Sequence, residues 1–234
     1  MDFKILCSDL DGTLLTFKDN VSDFTISEIK RIKDHLRIIL VSARMPQSMT
    51  YIQKNLGIEN EPIICYNGAL ILHGSKELFS TYIHIDEIAS IYDMANKVGI
   101  QLGLYSKSEW YVAMDSERVQ KEIKYTKTLP TFRDTQATIE DWRDRKMGAH
   151  KIMLMGNKEN TDGLFPILQK NFSQTLNLYR SNDTLIEIAP KSVSKLTAIK
   201  LLLEAHESLN DVIALALKNS EDGVAHYIKQ HILI

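Results

Sequence analysis

The sequence of 234 residues contains only two cysteines, Cys7 and Cys65, both inside apolar runs. That excludes a scaffold built on disulfides and fits a cytoplasmic protein whose thiols stay reduced and buried. Ten glycines and five prolines are too few for a linker-dominated or disordered chain. No apolar run approaches the roughly 20 residues of a membrane span. The opening MDFKILCSDLDGT places acids directly after a short apolar stretch, unlike a secretory signal. An excess of one charge is also missing: 28 Lys+Arg against 30 Asp+Glu leaves a net charge of −2. A dedicated nucleic-acid binder needs clustered cations, so no nucleic-acid partner is expected, and no membrane partner either. The seven histidines show no HxH or HExxH spacing, so no zinc site is expected. What is present is an ordinary globular composition, 44% hydrophobic and 25% charged. The length suits one large α/β domain or two smaller ones.

Short apolar runs alternate with helical patterns at both ends of the chain. FKILCS (Phe3 to Ser8), RIILVS (Arg37 to Ser42) and PIICY (Pro62 to Tyr66) read as buried strands. Helical stretches lie between them, Phe24 to His35 and Pro46 to Leu56, the second stopping before Gly57. Strand–helix–strand of this kind predicts a parallel sheet covered by helices. The tail repeats the logic with a strand at Thr184 to Ile188, a helix at Ser194 to Glu204, a strand at Val212 to Leu217 and a terminal helix. The middle mixes a helix from Ile85 to Val98, a strand pair at 100–106 and 109–114, a polar loop at 128–138 and a strand at KIMLM (Lys151 to Met155). The expected organisation is a discontinuous α/β domain of residues 1–82 and 183–234, with an α+β lobe of residues 83–182 inserted into it. The joins fall near His84 and Asn182-Asp183.

The chemistry concentrates after the first strand, in Asp9-Leu10-Asp11-Gly12-Thr13. Ligands of open α/β sheets bind at the carboxyl ends of strands. Two carboxylates two residues apart share one side of an extended chain and repel unless a cation or proton intervenes. Such a pair suits Mg²⁺, which prefers oxygen ligands, and an Asp carboxylate can attack phosphorus. Gly12 permits a sharp turn and Thr13 offers a hydroxyl and an N–H. By itself a DxDG stretch is also an ordinary strand-ending turn.

DLDGTLL following an N-terminal strand resembles the first motif of the haloacid dehalogenase superfamily. Within it the chain is similar to the Cof-type phosphatases, which have a Rossmann-like parallel sheet core with an inserted α+β cap domain. The resemblance implies Asp9 as nucleophile and Asp11 as general acid/base, with Asp9 and the Asp11 carbonyl on Mg²⁺. Ser42 in LVSARMP matches the second motif and implies a hydroxyl on a phosphoryl oxygen. Arg44 matches the family's Arg, with Ala43 where Gly is usual. Asn67-Gly68-Ala69 resembles the NGA after the third strand, which puts Asn67 with Arg44 on the substrate side. Ser194-Lys195 matches the third motif, with Leu196 where Gly is usual; Lys195, Ser42, Thr13 and Gly12 are then the phosphate-binding set. Tyr105, Trp110 and Tyr111 fall on the insert strands, where they either shape a substrate pocket or pack the sheet.

One family element is not found. The fourth motif, an acidic cluster after a further strand, has no counterpart in AHESLNDVIALALKNSEDGVAHYIKQHILI. Either the stretch is deleted, or Asn219, Glu221 and Asp222 replace it, or Asn210-Asp211 is a displaced remnant. The last is disfavoured because those residues precede their strand, at the wrong end of a parallel sheet. The expected function is a Mg²⁺-dependent phosphatase of small phosphorylated metabolites such as sugar phosphates, acting through an aspartyl phosphate as a monomer or weak homodimer. The alternative is a catalytically weak or inactive phosphate-binding protein of the same fold.

Overall fold

The computed structural model describes residues 3–15, 20–216 and 222–232. The chain divides into two compact units, Met1–Phe79 with Tyr125–Lys127 and Ser194–Ile234, and Ser80–Lys124 with Thr128–Val193. The first unit begins with β1 (Ile5–Asp9), α1 (Asp23–Ile32), β2 (Arg37–Val41), α2 (Gln47–Leu56) and β3 (Ile63–Cys65). A one-turn 3₁₀ segment at Tyr66–Gly68 leads into β4 (Leu70–His73) and β5 (Lys76–Ser80). The second unit comprises α3 (Ile85–Asn96), β6 (Gln101–Ser106), β7 (Glu109–Val112), α4 (Glu117–Thr126) and β8 (Thr131–Phe132). It continues with α5 (Thr135–Asp144), β9 (Lys151–Met155), α6 (Lys158–Phe172), β10 (Leu176–Asn182) and β11 (Leu185–Pro190). The first unit then resumes with α7 (Lys195–Leu201), β12 (Val212–Leu215) and α8 (Gly223–His231).

The first sheet has the order β12-β1-β2-β3-β4-β5. Its first four strands are parallel and β4 is antiparallel to β3. Residues 5–8 of β1 and 38–41 of β2 are buried on both faces, which is why they read as continuous apolar runs rather than alternating ones. Ile5, Cys7, Ile39, Val41 and Ile64 form one core layer with Ala198, Ile199 and Leu202 of and after α7. Placing β1 between β12 and β2 brings its carboxyl end beside those of its neighbours.

The second unit has its own sheet, β10-β11-β9-β6-β7-β8. Helices α3, α5 and α6 bury Ile88, Ile91, Trp142, Leu164 and Leu168 on one face, against Leu102, Leu104, Ile152 and Leu154. On the other side Tyr105 and Trp110 stack at 5.3 Å between ring centroids. Both are buried, so these two aromatics serve as packing; Tyr111 meets Trp142 edge-on.

Two expectations change. Residues 185–188 of the expected strand belong to β11 in the second sheet, held antiparallel between β10 and β9, and not to the first. Asn182-Asp183 is consequently part of the β10–β11 hairpin rather than a join, and the chain returns to the first unit at Ser194. A strand's apolar pattern does not record which sheet it pairs with. Residues 128–138 are also not all loop: β8 and the start of α5 lie there, because the Asp134 side chain accepts the Ala137 N–H at 2.9 Å and caps the helix. Among the described residues no helix is long and apolar enough to cross a membrane.

His150 is fully buried in the second unit. Its Nδ1 accepts the Lys107 backbone N–H at 3.0 Å, so the proton sits on Nε2, 3.0 Å from Ser80 Oγ. Burial, and secondarily the Lys107 charge, push its pKa down to about 3. Below the ordinary histidine value of 6.5 the unfolded chain takes up a proton that the folded chain refuses. His150 therefore contributes stability above pH 6.5 that is lost progressively as the pH falls toward 3. At pH 4.5 the loss amounts to about 3 kcal/mol relative to pH 7.5. Denaturant unfolding at the two pH values will show this difference, and His150→Gln will flatten it. An unchanged pH dependence in that variant would contradict the assignment.

Candidate active site

Strand β1 ends at Asp9 because the chain then wraps around one carbonyl. Leu10 O accepts N–H groups from Thr13, Leu14 and Leu15 at 3.2, 3.1 and 3.0 Å. Gly12 turns the loop at φ +76°, a left-handed value that costs glycine nothing. Leu10, Leu14 and Leu15 are buried and anchor the loop from below. The Thr13 N–H is committed to this turn, and the residue is buried.

Asp9 Oδ1 accepts the Leu10 N–H at 2.8 Å. Its Oδ2 lies 2.8 Å from Lys195 Nζ. Lys195 is the first residue of α7, behind an N-cap in which Ser194 Oγ accepts the Thr197 N–H and Thr197 Oγ1 accepts the Ser194 N–H. The pair is one-quarter to two-fifths exposed, open enough for a substrate and dry enough for its charges to count.

Ser42 follows β2 and is buried. Its N–H continues the ladder to Ile64 O, and its carbonyl accepts the Asn67 N–H, both at 2.9 Å. Ser42 Oγ accepts the Arg44 N–H at 3.2 Å, which leaves the hydroxyl proton to donate. Asn67 occupies the left-handed region at φ +56°, on the turn that ends at Gly68.

The Arg44 side chain lies against Asp11. Its Nε and Nη2 grip Asp11 Oδ2 and Oδ1 at 3.0 and 2.8 Å, a two-pronged pair. The guanidinium is buried. Burial works against its charge, but the hydrogen bonds and charge of Asp11, with Tyr51, outweigh that and raise its pKa above the usual value. Arg44 thus holds the neighbouring carboxylate in place.

Gly68 is the residue whose role the motif alone does not disclose. At φ +108°, a Cβ on it would come 2.6 Å from Ser194 O and 3.0 Å from the Ala198 Cβ. The third-strand turn therefore touches the start of α7 and fixes where Lys195 begins. Gly68→Ala should cost about 1–3 kcal/mol by overpacking and positive-φ strain, and lower activity by shifting Lys195. A variant with wild-type melting and turnover would refute that contact's role.

The donors available to a divalent cation are the Asp9 carboxylate and main-chain carbonyls of the loop, all hard oxygens of the kind Mg²⁺ takes. Among the described residues no three His, Cys, Asp or Glu side chains converge as a metal cluster. Asn219 and Glu221, like Leu217 of the expected last strand, lie outside the described residues. Asp222 starts α8 at φ +52°; its Oδ1 is buried and has no hydrogen-bond partner among the described residues. Asn210 and Asp211 lie in a 3₁₀ turn before β12, with Asp211 on Ser208 N–H and Lys4, at the amino end of the strands and away from Asp9. The chemistry of the donors fits Mg²⁺, with one side-chain carboxylate, Asp9, in the set.

Known proteins resemble this chain in sequence and fold. A protein from Haemophilus influenzae provisionally named a phosphatase is 27% identical over 219 residues, spanning 92% of this chain and 80% of its own. A haloacid dehalogenase-like hydrolase structure from Bacteroides thetaiotaomicron superposes with a TM-score of 0.87 at 20% identity, covering 97% of this chain and 99% of its own. A sugar phosphatase of subclass IIB superposes with a TM-score of 0.70 at 18% identity, covering 90% and 79%. The family model for haloacid dehalogenase-like hydrolases matches residues 6–215, which contain Asp9, Asp11, Ser42, Arg44, Asn67 and Lys195. The chain thus belongs to the haloacid dehalogenase-like hydrolases.

Proposed function

We propose that this phosphatase hydrolyses small phosphorylated metabolites, sugar phosphates foremost, with Asp9 as nucleophile and Mg²⁺ as the supporting cation. The observation that carries the reading is Asp9 at the carboxyl end of β1, fixed between the Leu10 N–H and the Lys195 ammonium. A carboxylate oxygen of Asp9 attacks phosphorus, the bond to the leaving oxygen breaks, and Asp11 gives that oxygen a proton. Asp11, now ionised, takes a proton from water; the water oxygen bonds to phosphorus and the phosphorus–Asp9 bond breaks, releasing phosphate. Lys195 and the Ser42 hydroxyl hold the phosphoryl oxygens during both transfers. Because Arg44 occupies both Asp11 oxygens, Asp11 must turn from that fork to reach the leaving group.

Asp9 and the Asp11 carbonyl are the groups that would hold Mg²⁺, which when bound offsets the negative charge of carboxylate and phosphate. Sugar phosphates are suggested by the polar site and by the sugar phosphatase that shares the fold. The two thiols, Cys7 and Cys65, are free and buried, which suits a cytoplasmic enzyme. The test is phosphate release from a sugar-phosphate panel with and without added Mg²⁺. Release that rises with Mg²⁺ and falls with chelator is expected; equal release in both would remove Mg²⁺ from the reading.

A second reading, a phosphate-binding protein of little or no turnover, is favoured by one observation, the lack of a three-acid cluster among the described residues. Phosphate binding without release from any substrate would select it.

A further inference from the structure

The second unit holds a polar cavity of about 590 Å³ that the phosphatase chemistry does not use. Four separate segments line it: the start of β6, the first turns of α4, the end of β9 and the β10–β11 turn. Arg118 and Lys121, three residues apart on one face of α4, supply its cations. Gln101, Ser116, Asn182 and Thr184 supply neutral donors and acceptors.

The strand register shows where this cavity sits within the unit. Gln101 pairs with Met155, and Tyr105 with Lys151, so the cavity and Lys151 mark opposite ends of the sheet. A five-residue strand separates those ends by about 13 Å. The chain crosses to the first unit next to Ser80, around Tyr125–Lys127 and after Val193. Ile83 bridges Ala149, Glu122 faces Lys151, and Ile188 pairs with Ile152, all toward the Lys151 end of this sheet. The cavity is at the other.

Its cations are Arg118 and Lys121, with Glu117 in the wall and Glu122 beside Arg118. Glu122 meets Arg118 at 3.3 Å and Lys151 at 3.9 Å, one carboxylate shared by two cations. Glu117 is the single acid in the cavity wall, against Arg118 and Lys121. Arg118 Nε is buried with no hydrogen-bond partner among the described residues, so the guanidinium gains by turning onto an anion. A cavity of this size exceeds what inorganic phosphate fills, and Gln101, Ser116, Asn182 and Thr184 in its wall can hydrogen-bond hydroxyl groups.

We propose that this cavity is a second binding site, for a polyhydroxylated phosphate monoester of sugar-phosphate size, with Arg118 and Lys121 on the phosphate. The site is independent of turnover at Asp9. The test uses the full-length chain carrying Asp9→Asn and Lys195→Met, which stops turnover and weakens phosphate binding beside β1. Glucose 6-phosphate, ribose 5-phosphate and glycerol 3-phosphate are titrated by calorimetry, with glucose as the phosphate-free control. Saturable binding of at least one ester, and none of glucose, is expected. Adding Arg118→Gln and Lys121→Ala should weaken it about tenfold or more, since both phosphate contacts are lost. Lys121 is exposed, so Lys121→Ala alone keeps the test intact if the Arg118 change disturbs folding. Failure of all three esters to bind, or binding unmoved by either variant, would overturn the proposal while leaving the phosphatase reading as it stands.

Discussion

Asp9→Asn should abolish phosphate release, lowering kcat by about 10³-fold or more, as removal of a nucleophile does elsewhere. The substitution is nearly isosteric. Its amide oxygen can still accept the Leu10 N–H, and the turn around Leu10 O does not involve the side chain. What is lost is the negative oxygen 2.8 Å from Lys195. That pair is partly exposed, so its removal costs little stability, on the order of 1 kcal/mol or less. Melting should therefore stay near wild type while turnover disappears. Activity within tenfold of wild type on the same substrate would sink the assignment of Asp9.

Lys195→Met should reduce kcat/KM by about 10²–10³-fold, the usual effect of deleting one preorganised charge donor beside developing anionic charge. Methionine keeps the length and apolar stem of the side chain and leaves the Ser194–Thr197 cap untouched. Lys195→Arg should recover part of the loss, because a cation returns though its reach and shape differ. A purely structural role predicts the opposite pattern, lower stability with turnover per folded molecule preserved. Wild-type kinetics for Lys195→Met would exclude the ammonium from the reaction.

The parts of the molecule legible in sequence are those set by local physics. The runs around Ile5, Ile39 and Ile64 announce buried strands because both of their faces are covered. The helix ending at Gly57 is marked by its left-handed cap. The acids after β1 could be placed at a strand end for the same reason. Features set by distant pairing were not legible. Residues 185–190 have a strand's composition in either sheet, and only the ladders to Met155 and Asn182 decide between them. Arg44 and Asp11 are 33 residues apart, so their pairing depends on two loops meeting above the sheet. Gly68 reads as a common turn glycine until the backbone of Ser194 is seen against it. Helix α5 opens with polar residues, and its apolar pair, Ile139 and Trp142, gives too few turns to stand out.

The order of the first sheet has one more consequence. Strand β1 is second from its margin, and the marginal strand, β12, has four residues, with Ala214 exposed. Local opening is least costly at strands that few neighbours hold. On one flank the backbone carrying Asp9 leans on the longer β2, and on the other on this short rim. The loop that presents the carboxylate is thus hinged asymmetrically. Its rigid side is the one bearing Ser42 and Arg44, and its compliant side is the one where β12 leads on toward α8.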